Sequence, residues 1–299
     1  GLYVLDLAFG ISQRILAVPS LIRRGIYTEP DWSPDGSQLA VTRETGYSLD
    51  IFTFNLAEST WTNISDSPAN EIHPAWSPDG RYLAFISDRE FCPSWIPGAA
   101  NGCNADTDTF SGGHVYVYDT LTGDTQGLTD VWTNEPPYWI NSRQIAIAGS
   151  NPQADLLRPE RTLWVADVAT AGARQVNIAE GEDTPFHLTE AWTADGSRVI
   201  FQRTASDSNQ IVVTSANGTP IEVISDYNFA RFSLAAAWSP DGTRLAIGGS
   251  GGQCPYGIIV LETVDYSTVA RGNPPPSMCD PVFSPDGAFI AFAGINPRT

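Results

Sequence analysis

The 299-residue chain carries 34 Asp and Glu against 16 basic residues, all of them Arg, for a formal net charge of −18. With no basic stripe to neutralise phosphates, the composition argues against a nucleic-acid partner and against adhesion to an anionic membrane surface. No apolar run approaches the length of a bilayer span, so membrane insertion is not expected either.

Leu2-Tyr3-Val4-Leu5-Asp6-Leu7 reads as a β-strand, and Gln13 to Val18 as a second. Both match the later strands of units further on, Val115-Tyr116-Val117-Tyr118-Asp119 and Leu163-Trp164-Val165-Ala166-Asp167. The first full unit runs from about Tyr27 to Asn63 and contains Trp32-Ser33-Pro34-Asp35-Gly36. Here Pro34 pre-sets φ, Asp35 can bond its own backbone, and Gly36 supplies the positive φ that closes a hairpin.

The motif returns as Trp76-Ser77-Pro78-Asp79-Gly80, Trp192-Thr193-Ala194-Asp195-Gly196, Trp238-Ser239-Pro240-Asp241-Gly242 and Phe283-Ser284-Pro285-Asp286-Gly287, with a worn copy at Trp139-Ile140-Asn141-Ser142. Successive aromatics lie 44, 63, 53, 46 and 45 residues apart. Three spacings fit one blade of four strands, and two carry insertions. The unit beginning near Ile72 is interrupted by residues 88–113, and the next has a loop at residues 150–160. The fourth covers about His187 to Ile224 and the fifth Leu234 to Ala270. Residues 282–293 supply only the first half of a sixth.

A period of this size built from strands and turns predicts an all-β fold, a six-bladed β-propeller. The spare strands at the start and the half-unit at the end predict closure by pairing, so that residues 1–299 form one domain whose last blade is shared between residues 1–18 and 280–295. Gly1 opens without Met or a charged-then-apolar leader; an export signal is expected to have been removed or to lie outside the chain, the alternative being a cytosolic fragment.

In such blades the loop before the first strand and the loop between the second and third strands share one face. Both insertions and all four cysteines fall there. Two disulfides are predicted, Cys92 with Cys103 and Cys254 with Cys279, which imply an oxidising, extracellular or periplasmic setting. Free buried thiols are the alternative. Glu29, Glu71, His73, Glu135, Glu190 and Asp280 lead into the first strands and are expected near one mouth of the channel. There they could hold Ca²⁺ or a transition metal, or stand as solvated rim charges with no cofactor at all.

Asn104-Ala105-Asp106-Thr107-Asp108 begins like a calcium loop but lacks its Gly and its final Glu, so a polar loop is preferred. Gly248-Gly249-Ser250-Gly251-Gly252 has a nucleophile-elbow spacing without the helix it needs. No Ser-His-Asp triad is visible around His73, His114 or His187. Phe91, Trp95, Asp106, Asp108, Phe110 and Trp132 lie in or beside loops of the decorated face and would suit a protein or carbohydrate partner. Alternatively, Phe91 and Trp95 form a small core beneath their own loop. Asn63 and Asn217 stand in glycosylation sequons, used only in a host that glycosylates.

The Trp-Ser-Pro-Asp-Gly hairpin, the Leu83-Ala84-Phe85 strand after it, and the Val115 to Asp119 strand with its turn through Gly123 resemble the repeats of TolB-type six-bladed propellers. The extra N-terminal α/β domain of TolB has no counterpart here. The repeats also resemble the propellers of prolyl-oligopeptidase-type enzymes, which are paired with a hydrolase domain. The resemblance implies the fold rather than a task, since one propeller serves as docking surface, enzyme scaffold or gate. The reading is a binding or scaffolding propeller for a protein or glycan, of unassigned oligomeric state. The alternatives are a metal-assisted lyase or hydrolase at the acidic mouth, and the gating propeller of a larger peptidase.

Overall fold

The computed structural model describes residues 2–6, 10–16, 29–103, 112–150, 162–176, 186–205, 208–224, 234–249, 258–271 and 278–294. These residues are strand and turn throughout, without an α-helix. The chain divides into two compact units, Gly1–Pro137 and Tyr138–Thr299.

In the first unit, β1 (Leu2–Asp6) and β2 (Ile11–Leu16) form an antiparallel pair. Leu2 and Ile15 pack against Leu39, Val41 and Phe54 of the first blade. That blade is β3 (Asp31–Trp32), β4 (Gln38–Glu44), β5 (Leu49–Asn55) and β6 (Thr60–Asn63), in sequence order. The second is β7 (Glu71–Trp76), β8 (Tyr82–Ser87), β9 (His114–Asp119) and β10 (Thr125–Gly127). Ala40 and Ile51 of one blade close on Trp76, Leu83, Phe85 and Tyr116 of the other. Each large apolar side chain so buried contributes roughly 1.5–3 kcal/mol. Asp31 adds a polar tie, its Oδ2 accepting the Trp76 amide at 2.6 Å.

The second unit has a third blade of β11 (Tyr138–Trp139), β12 (Gln144–Gly149), β13 (Thr162–Asp167) and β14 (Gly172–Gln175), and a fourth of β15 (Phe186–Trp192), β16 (Arg198–Ala205), β17 (Ser208–Ser215) and β18 (Pro220–Ile224). The fifth is β19 (Leu234–Trp238), β20 (Arg244–Gly249), β21 (Ile259–Glu262) and β22 (Thr268–Arg271). The hairpin β23 (Met278–Phe283) and β24 (Ile290–Gly294) follows, joined to β20 by one parallel bridge, Gly249 to Cys279. Trp139, Trp192 and Trp238 are all buried, and Trp192 and Trp238 anchor the apolar contacts between successive blades.

The turn chemistry repeats as the sequence predicts. Gly36, Gly80, Gly196, Gly242 and Gly287 all have φ between +69° and +72°. In each copy the hydroxyl of the second residue donates to the Asp carboxylate, as from Ser77 to Asp79 at 2.7 Å and from Thr193 to Asp195 at 2.6 Å. Those hydrogen bonds hold the Asp195 and Asp241 carboxyls down to about 2. In the worn copy, Asn141 Oδ1 accepts from the amides of Arg143 and Gln144, so one side chain caps a turn that has no Asp or Gly.

Candidate binding face

The insertion after β8 is seated on a buried polar cluster. Asp88, 3% exposed, accepts the Asn70 amide at 2.8 Å through Oδ1, and the Trp95 indole N–H at 3.0 Å through Oδ2. Asn70 in turn accepts the Leu49 amide at 2.9 Å, which ties the insertion to the turn between β4 and β5. Burial pushes the Asp88 carboxyl up to about 6 against the pull of these donors. The Phe91 and Cys92 amides donate to the Asp88 carbonyl, and the Trp95 amide to that of Pro68 at 2.8 Å. Cys92 and Cys103 form the disulfide predicted from their spacing, with Cα atoms 5.6 Å apart.

This seating sorts the predicted aromatics. Phe91 is 58% exposed, whereas Trp95 is 2% exposed. Trp95 is therefore corrected from a contact residue to the core of its own loop, because its indole N–H has found an acceptor under the chain. Trp132 is half-buried. Ile96 and, from the turn between β4 and β5, Tyr47 are exposed at the same end of the strands. Asp106, Asp108 and Phe110 lie outside the described residues, as does Cys254. Cys279 lies on β23 with its side chain undescribed, so the pairing of Cys254 with Cys279 falls outside them too.

The acidic approach residues separate. Glu29 is exposed and Glu135 half-buried, while Glu190 and Asp280 lie on β15 and β23 with their side chains outside the described residues. Glu71 is fully buried. Its Oε1 accepts from Ser87 at 2.9 Å and from Arg89 at 3.1 Å. Burial nevertheless pushes this carboxyl up to about 7. His73 takes φ +54° where the register of β7 against β8 shifts, and burial lowers its imidazole to about 4, so it is neutral at physiological pH. Among the described residues, no three of His, Cys, Asp and Glu gather as a metal-holding group.

Sequence reasoning missed the network that joins Glu71 to the exposed face. The Arg89 guanidinium lies 4.3 Å over the Tyr116 ring, and the Tyr116 hydroxyl donates to Glu90 at 3.0 Å. Glu90 also approaches His114, whose ring meets that of Phe91 edge-on at 4.9 Å. These residues are ordinary strand ends and loop positions in the sequence, and no spacing marks them.

Successive four-stranded antiparallel blades with these turns define an all-β propeller. Residues 2–147 match the TolB beta propeller domain, and over that stretch the repeats are TolB-like, as their resemblance in sequence predicts. It is 25% identical over 276 residues to the "Uncharacterized peptidase YuxL" of Bacillus subtilis, covering 89% of this chain and 29% of that protein. The chain thus spans less than a third of that relative's length. Among solved structures, an oligogalacturonate lyase in complex with manganese is similar at 16% identity and a TM-score of 0.61, covering 98% of this chain and 78% of that one. A prolyl endopeptidase structure is similar at 14% identity and a TM-score of 0.56, covering 94% of this chain and 40% of that one. At such identities these likenesses establish the fold alone.

Proposed function

We propose that this propeller is a binding module of an oxidising, extracellular or periplasmic setting, and that the face bearing the insertion engages a protein or glycan. The observation that carries this is the stapled loop itself. A disulfide, a buried Asp88 and a buried Trp95 hold rigid a segment that leaves Phe91 and Ile96 in solvent, with Tyr47 exposed on the neighbouring turn. Ordering a loop beforehand removes an entropy cost from binding, and exposed aromatics are favoured anchors.

The test compares the protein with an F91S/I96S variant, both immobilised, for capture of secreted and envelope proteins of its own host and for retention on a glycan array. A ligand held by the parent and lost from the variant supports the face. Equal retention by both overturns it.

A second reading makes the propeller one part of a peptidase. It is favoured by the match to a protein named as a peptidase that is more than three times as long as the matched region. The parent open reading frame decides this, because an adjoining hydrolase domain would be plain in it.

A further inference from the structure

We propose that the first turn of the insertion is a proton-operated clamp: charged His114 grips Glu90 and so holds Phe91 against the second blade, and loss of that proton releases both. His114 opens β9 and is 5% exposed. Its Nδ1 lies 3.2 Å from Glu90 Oε2, within ion-pair distance but off the hydrogen-bonding angle, so neither ring nitrogen has a hydrogen-bond partner. Phe91 covers the ring edge-on, with the planes at 70°.

The charged neighbours leave this pair to itself. From the insertion, Arg89 is turned to Glu71 of β7 and Ser87 of β8, and Asp88 to Asn70 and Trp95. From β9, the Tyr116 hydroxyl donates to Glu90 Oε1 and fixes the carboxylate without neutralising it. Glu90 is therefore the anion within reach of His114. An imidazolium donates a charge-assisted bond that a neutral ring cannot match. Histidine is the side chain suited to changing charge in the range of roughly pH 5 to 8. Acid therefore tightens the turn, and raising the pH loosens it.

The use of this clamp rests on the docking face proposed above, but its existence does not. The experiment follows hydrogen exchange of the Phe91 and Cys92 amides, which both bond to the Asp88 carbonyl, across that pH range with intrinsic exchange corrected for. Opening is expected to rise by roughly threefold to tenfold as the pH increases, the range of a partly exposed charge-assisted pair. Its midpoint should coincide with the His114 titration seen by NMR. In Glu90→Gln, which keeps an acceptor for Tyr116, the step with that midpoint should vanish, leaving only the change that follows Asp88 and Glu71. Exchange that is constant with pH, that keeps the His114 step in Glu90→Gln, or that shows no step at the His114 midpoint overturns the clamp. No ligand enters this measurement, so its failure leaves the docking face standing, and the failure of F91S/I96S to lose a ligand leaves the clamp standing.

Discussion

The indole N–H of Trp95 donates to the Asp88 carboxylate at 3.0 Å, with both side chains almost wholly out of solvent. The bond joins the middle of the insertion to the strand end from which it departs. Removing the donor by Trp95→Phe should cost about 1–2 kcal/mol, and Asp88→Ala about 3 kcal/mol or more, because the latter orphans buried donors on Asn70 and Trp95. Denaturant melts of the two single variants and the double variant would measure this. Additive losses would show that the pair is uncoupled and that the seat lies elsewhere.

Stability should rise on mild acidification. Glu71 and Asp88, raised by burial to about 7 and about 6, are protonated in the folded chain at pH values where the unfolded chain has released the proton. The two carboxyls give the folded state extra protons as the pH falls from about 7 towards about 4.5; buried His73, lowered to about 4, opposes them because the unfolded ring charges below about 6.5, and the balance leaves unfolding free energy growing by roughly 1–3 kcal/mol. Below about pH 4 the turn carboxylates Asp195 and Asp241, held down to about 2, act in the opposite sense and their stabilisation is progressively lost. Chemical melts across pH should show the rise, and Glu71→Gln should flatten it. Stability that only falls on leaving pH 7 would refute the assignment.

Gly113 is required by its neighbours. A Cβ there would stand 2.1 Å from the Ser87 carbonyl oxygen, and the residue exchanges backbone bonds of 2.8 Å with Thr133. Gly113→Ala should therefore cost roughly 4 kcal/mol or more, since backbone on both sides would have to move. A thermal midpoint within a degree of the parent would contradict this.

Calcium at the acidic mouth is tested by adding the ion and following the thermal midpoint. Glu71 is already engaged by Arg89 and Ser87, so the expected result is no shift. A rise that disappears in a Glu29→Gln/Glu135→Gln variant would establish the site instead.

The sequence by itself determined the repeat and hence the propeller, because turn chemistry is local. A hydroxyl, an Asp and a Gly at fixed offsets, as at Ser77, Asp79 and Gly80, close the same hairpin wherever they occur. It also determined the bridge between Cys92 and Cys103, which lie close along one insertion. Only the tertiary structure decided that Trp95 is core and Phe91 surface, that Glu71 is buried against Arg89, and that His114 lies under Phe91 beside Glu90. Burial and pairing of this kind depend on which strand ends meet across a blade, and a sequence spells out neighbours along the chain, not across it.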